Sequence, residues 1–417
     1  MVNSFANMRA SDNDFFLVGR LHDLYSRKGD IRNPFARDYT RILHSYAFRR
    51  LKHKTQVFFN IAHDHICTRM EHVLHVESVA TTIAGALGLN IDLTRAIALG
   101  HDLGHAPFGH SGERVIQKIM QEELRGEEFW HERNGLYIID KLDLLEDDNG
   151  NWKNLDLTFA VRDGVLSHCG EVDEVAISPR IVAPNGEDLE QYVSKDTQPQ
   201  PATWEGCVVK ISDKIAYLGR DISDALQLGF IANKDMSELR KIAAALGQNT
   251  VNTTVAIHSF VSDIIDNSSP DCGIRLSSTA LQQLNDLKQF NYEHIYHNEK
   301  FDAYNRYCEL VISEIYRYLM NAYKGDDTVA SLIKNAALGR NTDSLYSGFI
   351  AWAIQYCNPK RLNSQVKDQY PLEKYCNEKV YGELNVKKVY ARAVIDYISE
   401  MTDRFAVDAH NSIISYS

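Results

Sequence analysis

The chemistry-bearing residues of this chain crowd into one short stretch. Residues 69–72 read Arg-Met-Glu-His, and residues 101–113 read His-Asp-Leu-Gly-His-Ala-Pro-Phe-Gly-His-Ser-Gly-Glu. A helix that ends in an adjacent His-Asp pair can aim both side chains at one divalent cation. His72 adds an imidazole, and Asp213 is a candidate for the carboxylate that closes the set. Two imidazoles and two carboxylates suit Mn²⁺, Fe²⁺, Co²⁺ or Mg²⁺, with positions left for water or phosphate oxygens. A structural zinc site instead uses thiolates and leaves no open position. The seven cysteines, at 67, 169, 207, 272, 308, 357 and 376, are scattered, odd in number and free of any C-x-x-C spacing. They read as ordinary semi-buried thiols of a reduced, cytoplasmic protein.

The elements that must position these groups are helical in pattern. Ile42, Leu43, Tyr46, Ala47 and Leu51 recur at helical spacing, so one amphipathic helix is expected over 36–58. Its cations, Arg37, Arg41, Arg49, Arg50, Lys52 and Lys54, form either a solvated face or a nucleotide phosphate neighbourhood. Residues 59–68 lack a clean period, and a small β-hairpin near 57–67 fits there. Val73, Val76, Val79, Ala80, Ile83, Ala84 and Leu87 mark a helix over 71–87 that Gly88 stops. Asp92 is the expected N-cap of the next helix, which delivers His101 and Asp102. Helix is expected again over 114–145, a turn over 146–155, and a Pro-rich surface excursion over 176–206. From Val208, Ile211, Ile215, Leu218, Ile222 and Ala225 share one face, while Asp213, Tyr217, Arg220 and Asp224 share another. The remainder is helical in pattern, with turns near 268–274, 324–327 and 358–364.

The expected class is therefore all-α. An N-terminal segment (1–32) precedes a catalytic core (33–235) and a C-terminal helical region (236–417) packed on it. The formal charge of −11 argues against coating nucleic acid in bulk, which needs a basic face, but not against a small anion held by converging cations. No run is long and apolar enough for a membrane helix, and no secretory signal is seen at the N-terminus.

The run from His101 to Glu113 resembles the signature of the HD-domain deoxynucleoside triphosphate triphosphohydrolases, the dGTPase-like family. Further blocks fall in the same order: Arg41–Leu51 with Lys54–Phe58, Asp64 with Thr68–His72, Asp213–Tyr217 with Arg220 and Asp221, and Asp396–Ala406. The resemblance spans roughly residues 33–406, and the blocks together are far more specific than any one motif. Glu71 stands where the family usually has Thr, His75 where it often has Glu, and Cys67 where Arg is common.

The resemblance implies metal ligation by His72, His101, Asp102 and Asp213, and a catalytic pair of His110 and Glu113. It implies a phosphate contact from His131, sugar 3′-hydroxyl contacts from Gln56 and Asp221, and roles for Arg69, Lys214 and Tyr217 around base, phosphates and sugar. One divalent ion (Mn²⁺, Mg²⁺ or Fe²⁺) is expected, with room for a second Mg²⁺ on the triphosphate. The expected reaction converts a dNTP and water to deoxynucleoside and triphosphate. Another HD-type nucleotide phosphohydrolase, a 5′-nucleotidase or diphosphatase, and a non-catalytic nucleotide-binding module stay open beside it. By analogy the chain forms a tetramer or hexamer, with a nucleotide activator as a further partner. His63 and His65 read as solvated, His105 as fixing the turn, and His168 and Cys169 as packing.

Overall fold

In a computed structural model, the protein is described over residues 4–25, 29–58, 65–169, 175–183, 186–232, 234–245, 247, 253–359, 362, 370 and 372–415. Two helices stand where the pattern over 36–58 predicts one: α1 (Pro34–His44) and α2 (Tyr46–Arg50). Ser45 divides them. Its backbone is extended (φ −67°, ψ 153°), and its hydroxyl accepts the Phe48 N–H as the cap of α2. Several of the cations are structural rather than solvated. Arg41 donates to the Leu155 and Asp156 carbonyls, Arg50 pairs with Glu400 at 2.7 Å, and Lys54 is buried.

Helix α3 (Arg69–Leu87) opens with a capping box, in which Thr68 and Glu71 satisfy each other's backbone N–H. Gly88 ends it in the left-handed conformation at φ 76°, as its sequence position predicts. Helix α4 (Ile91–Gly100) is capped by Asn90, not Asp92. Asp92 lies in the first turn instead and accepts from Asn33, itself the cap of α1, at 2.6 Å.

The helix predicted over 114–145 breaks into pieces. Phe108 takes a left-handed φ of 66°, so α5 (Gly109–Glu123) starts at once and places His110 in its first turn. After α6 (His131–Tyr137) and a π-turn (Ile138–Leu142) come β1 (Leu144–Glu146) and β2 (Trp152–Asn154). These strands pair antiparallel, so the small sheet lies where a turn was expected over 146–155. Residues 59–64 of the hairpin expected near 57–67 fall outside the described residues, and the flanks show one bridge, Thr55 to Thr68.

Helix α7 (Phe159–Ser167) leads into the Pro-rich excursion. That excursion is tied down: Leu189 packs with Trp130, Phe159 and Leu166, and Arg180 pairs with Asp163 at 2.6 Å. Helix α8 (Trp204–Gln227), capped by Thr203, begins four residues before Val208. The chain continues through α9 (Met236–Ala245), α10 (Thr253–Asn267), α11 (Ser278–Asn291), α12 (Lys300–Met320), α13 (Thr328–Asn335) and α14 (Asp343–Ala353). It closes with α15 (Lys387–Glu400) and α16 (Asp403–Ile414). The class is all-α, with the small sheet as its β element among the described residues.

Helices α3, α4 and α8 pack on one another, and α7 covers α4. Helix α12 lies against α5, α15 and α16, so the C-terminal helices brace the helix that starts at the His-rich turn. One apolar core runs through both halves, from Phe35 and Ile83 to Phe349 and Ile398. No described helix is long and apolar enough to cross a membrane.

Candidate active site

Three helices bring the four expected ligands together. His72 sits in the first turn of α3, His101 and Asp102 follow the end of α4, and Asp213 lies mid-way along α8. His72 Nε2 is 2.9 Å from Asp213 Oδ1, and His101 Nε2 is 3.5 Å from Asp102 Oδ1 and 3.9 Å from Asp213 Oδ1. His101 Nδ1 faces the Ala98 carbonyl at 2.7 Å and donates to it. That bond fixes the tautomer and leaves a lone pair on Nε2, which is buried and has no hydrogen-bond partner. A buried nitrogen lone pair facing two carboxylates suits a cation. The ligating atoms of His72, His101 and Asp102 all lie within 4.8 Å of one another, and the residues present fit a divalent metal.

The carboxylates are charged despite burial. Burial opposes the charge on Asp102, but Arg69, 2.8 Å away, with His101 and His105 holds its carboxyl well below the usual range. Burial likewise opposes Asp213, and the bond to His72 and the nearby His101 bring it down to about 2. Arg69 also donates to the Thr55 and Gln56 carbonyls, so one guanidinium joins the cluster to the loop before α3.

Glu113 forms the centre of a second group. Its Oε1 accepts the backbone N–H of His131 at 3.0 Å. Its Oε2 lies 3.4 Å from His110 Nδ1 and 3.3 Å from His131 Nδ1. His131 is buried, which disfavours its charge, yet Glu132 and Glu113 push its pKa up to about 9. His110 is the exposed member, 60% accessible at its side chain. His105 joins the two groups: its Nε2 is 3.0 Å from Asp102 Oδ1, and its ring stacks on His131 with centroids 3.9 Å apart. The reading of His105 as a fixing residue fits this position.

Close backbone packing sets this geometry. A Cβ on Gly104 would stand 1.9 Å from the His131 carbonyl oxygen, so only glycine lets the start of α6 approach the turn after Asp102. Asp403, at the start of α16, accepts the Phe108 N–H and the Thr55 N–H, each at 2.8 Å. Buried Lys54 donates to the His105 and Ser399 carbonyls. Both contacts tie the His-rich turn to the C-terminal helices.

Both groups open on one cavity of about 440 Å³. Of the expected residues, Gln56, Arg69, His110, Glu113, His131, Tyr217 and Asp221 line it, together with His72, Asp102 and Asp213. His101 lies behind the lining, fully buried, and Lys214 is buried on α8 outside it. None of the basic residues of 37–54 lines this cavity, whereas Arg37 and Arg41 line a separate one of about 230 Å³. His65 is exposed, and His63 lies outside the described residues. His168 packs against His101, ring centroids 5.0 Å apart, as expected of a packing residue, whereas Cys169 reaches the cavity wall.

Sequence reasoning missed Tyr292, Tyr296, Phe301 and Tyr304, which also line the cavity. Their spacing on a helical stretch is also that of ordinary core aromatics, so no local signal separates the two. Tyr296 donates to Asp221, and Tyr304 to the Phe108 carbonyl.

Comparison with known proteins agrees with this architecture. The HD domain family matches residues 69–218, and the phosphohydrolase-associated domain matches 367–412. A deoxyguanosinetriphosphate triphosphohydrolase-like protein of Caldanaerobacter subterraneus subsp. tengcongensis is 33% identical over 386 residues, covering 93% of this chain and 86% of the relative. Proteins of the same description from Desulfatibacillum aliphaticivorans (35% over 300 residues, 70% and 74% coverage) and Thiobacillus denitrificans (31% over 395 residues, 92% and 91%) are also similar. With the metal-binding geometry, the cavity and this similarity over nearly its whole length, the chain belongs to the HD-domain phosphohydrolases of the dGTPase-like family.

Proposed function

We propose that this protein hydrolyses deoxynucleoside triphosphates at the α-phosphate, releasing a deoxynucleoside and inorganic triphosphate. One observation carries the reading: the exposed His110, backed by buried Glu113, opens into the same cavity as the His72, His101, Asp102 and Asp213 cluster. Those four residues would hold one divalent cation, Mn²⁺, Mg²⁺ or Fe²⁺, which when bound supplies Lewis acidity toward the phosphoryl group and a lowered pKa for water.

The remaining work belongs to the chain. The departing nucleoside 5′-oxygen needs a proton. With Nδ1 of His110 turned to Glu113, Nε2 carries that proton toward the cavity, a role worth roughly 10²–10⁴ in rate. Charged His131 and Arg69 offset the phosphate charge. Burial pushes the Asp221 carboxyl up to about 7, so below that pH it is a neutral group able to donate as well as accept. Gln56 Oε1 is buried without a partner and is free to accept a sugar hydroxyl. Tyr217, close against the sugar, would exclude a 2′-hydroxyl. Lys214 keeps a supporting role near the phosphates only if the site rearranges on binding. By the family reading the protein works in the cytoplasm as a homo-oligomer, with the basic helices at 37–54 as one interface and nucleotide as an activator.

His110→Ala tests the reading directly. Turnover is expected to vanish while dNTP binding and metal binding at the His72, His101, Asp102 and Asp213 cluster persist, and a variant that still turns over would remove His110 from the chemistry.

A further inference from the structure

The His110 neighbourhood has a property that proton transfer does not require. His105, His110, Glu113 and His131 each offer a ligating atom, and all four atoms lie within 4.8 Å of one another. His105 Nε2 faces the Asp102 carboxylate at 3.0 Å. A carboxylate only accepts, so in the neutral ring Nε2 carries the hydrogen and Nδ1 carries the lone pair. That Nδ1 is buried, on a residue 3% exposed, and has no hydrogen-bond partner.

Distances around Glu113 and His131 point the same way. His110 Nδ1 to Glu113 Oε2 is 3.4 Å, His131 Nδ1 to Glu113 Oε2 is 3.3 Å, and His131 Nδ1 to Glu132 Oε2 is 3.4 Å. Charge-assisted hydrogen bonds are shorter, about 2.7–2.9 Å. Metal–ligand bonds of about 2.0–2.1 Å in a tetrahedron set neighbouring ligand atoms roughly 3.3–3.4 Å apart. Charge agrees as well. Glu132 is fully buried with neither oxygen hydrogen-bonded, and it lies against His131 Nδ1, as buried Glu113 does. Two buried carboxylates so placed favour a cation between the imidazoles.

We propose that His105, His110, Glu113 and His131 form a second divalent-cation site, distinct from the His72–His101–Asp102–Asp213 cluster. Three imidazoles and one carboxylate select a borderline cation that accepts four-coordination, Zn²⁺ above all, over Mg²⁺ or Ca²⁺. Its consequence rests on the role proposed for His110. With Nδ1 bound to a cation, the imidazolium is replaced by a metal-bound ring whose remaining N–H is a far weaker acid, and Glu113 no longer orients it. Zn²⁺ at this site therefore inhibits an enzyme whose other site holds Mn²⁺ or Mg²⁺.

The test is a metal count. Chelator-stripped full-length protein is dialysed against Zn²⁺ buffered at low micromolar free ion, and bound metal is measured per chain. Wild type is expected to bind two equivalents, while His110→Ala and Glu113→Gln bind one. Asp213→Asn keeps the equivalent that His110→Ala loses. In Co²⁺-loaded wild type, the intense visible bands of a four-coordinate site appear, and His110→Ala loses them. His110 is surface-exposed, so that variant folds, and circular dichroism checks it. One equivalent in wild type, or the same count and the same spectrum in wild type and His110→Ala, overturns the proposal. A protein that hydrolyses no dNTP but still loses one equivalent on His110→Ala retains this site and loses the proposed reaction instead.

Discussion

Asp221 offers a quantitative check on the electrostatics of the cavity. It is buried on α8 and accepts a hydrogen bond from Tyr296, and burial raises its pKa from 3.8 to about 7. The unfolded chain ionises it near 3.8, whereas the folded chain keeps it protonated up to about 7. Because the folded pKa is the higher one, its contribution to stability is fully present below 3.8 and is lost as pH rises to about 7. Roughly three decades of proton activity at about 1.4 kcal/mol each set a ceiling of about 4 kcal/mol. Asp221→Asn keeps an acceptor for Tyr296 and cannot ionise. Wild type and variant should therefore melt at similar temperatures near pH 4. The variant should gain steadily through pH 5 and 6, and the gap should level off above pH 7. Thermal melts followed by circular dichroism across pH 4–9, on metal-free protein, give the profile. A gap that is flat with pH, or that opens in favour of wild type as pH rises, would refute the assignment of Asp221 as a buried neutral acid.

Other perturbations follow from packing. Gly104→Ala forces a Cβ into the His131 carbonyl, so a loss of several kcal/mol, or insoluble protein, is expected, and a soluble variant with an unchanged melting temperature would contradict the close approach. Asp403→Ala leaves the Phe108 and Thr55 N–H groups without their acceptor, at about 1–3 kcal/mol each, and a stability curve within error of wild type would show that they find other partners. Stripping divalent metal with chelator should abolish turnover, with Mn²⁺ restoring it, and activity that survives chelation would remove the cation from the reaction. Light scattering should show an assembly larger than one chain, and a strict monomer with and without dNTP would sink that part of the proposal.

The local features of the site are readable because the residues that cause them are neighbours in sequence. Gly88 ends α3, and the run His101 to Glu113 holds most of the chemistry within one helix end, one turn and one helix start. Boundaries fail where two adjacent polar residues compete for one role: Asn90 and Asp92 both suit the cap of α4, and only the approach of Asn33 assigns Asp92 elsewhere. Ser45 splits a helix whose apolar period continues across it. The hardest parts to read were contacts made by distant residues. Asp403 meets Phe108 from 295 positions away, and the aromatics from Tyr292 to Tyr304 line the cavity together with residues of α8. Glu132 carries no periodic or motif signal, since its importance lies in being buried beside His131.

The most direct test of the central claim is the identity of the products. The purified protein is incubated with each dNTP singly and in mixtures, with GTP as the ribonucleotide control, in Mn²⁺ and in Mg²⁺. Nucleosides, nucleotides and inorganic phosphates are then resolved by ion-exchange chromatography. Deoxynucleoside together with intact triphosphate, and none from GTP, is the predicted result. Monophosphate with pyrophosphate, or diphosphate with phosphate, would contradict cleavage at the nucleoside 5′-oxygen and with it the role given to His110.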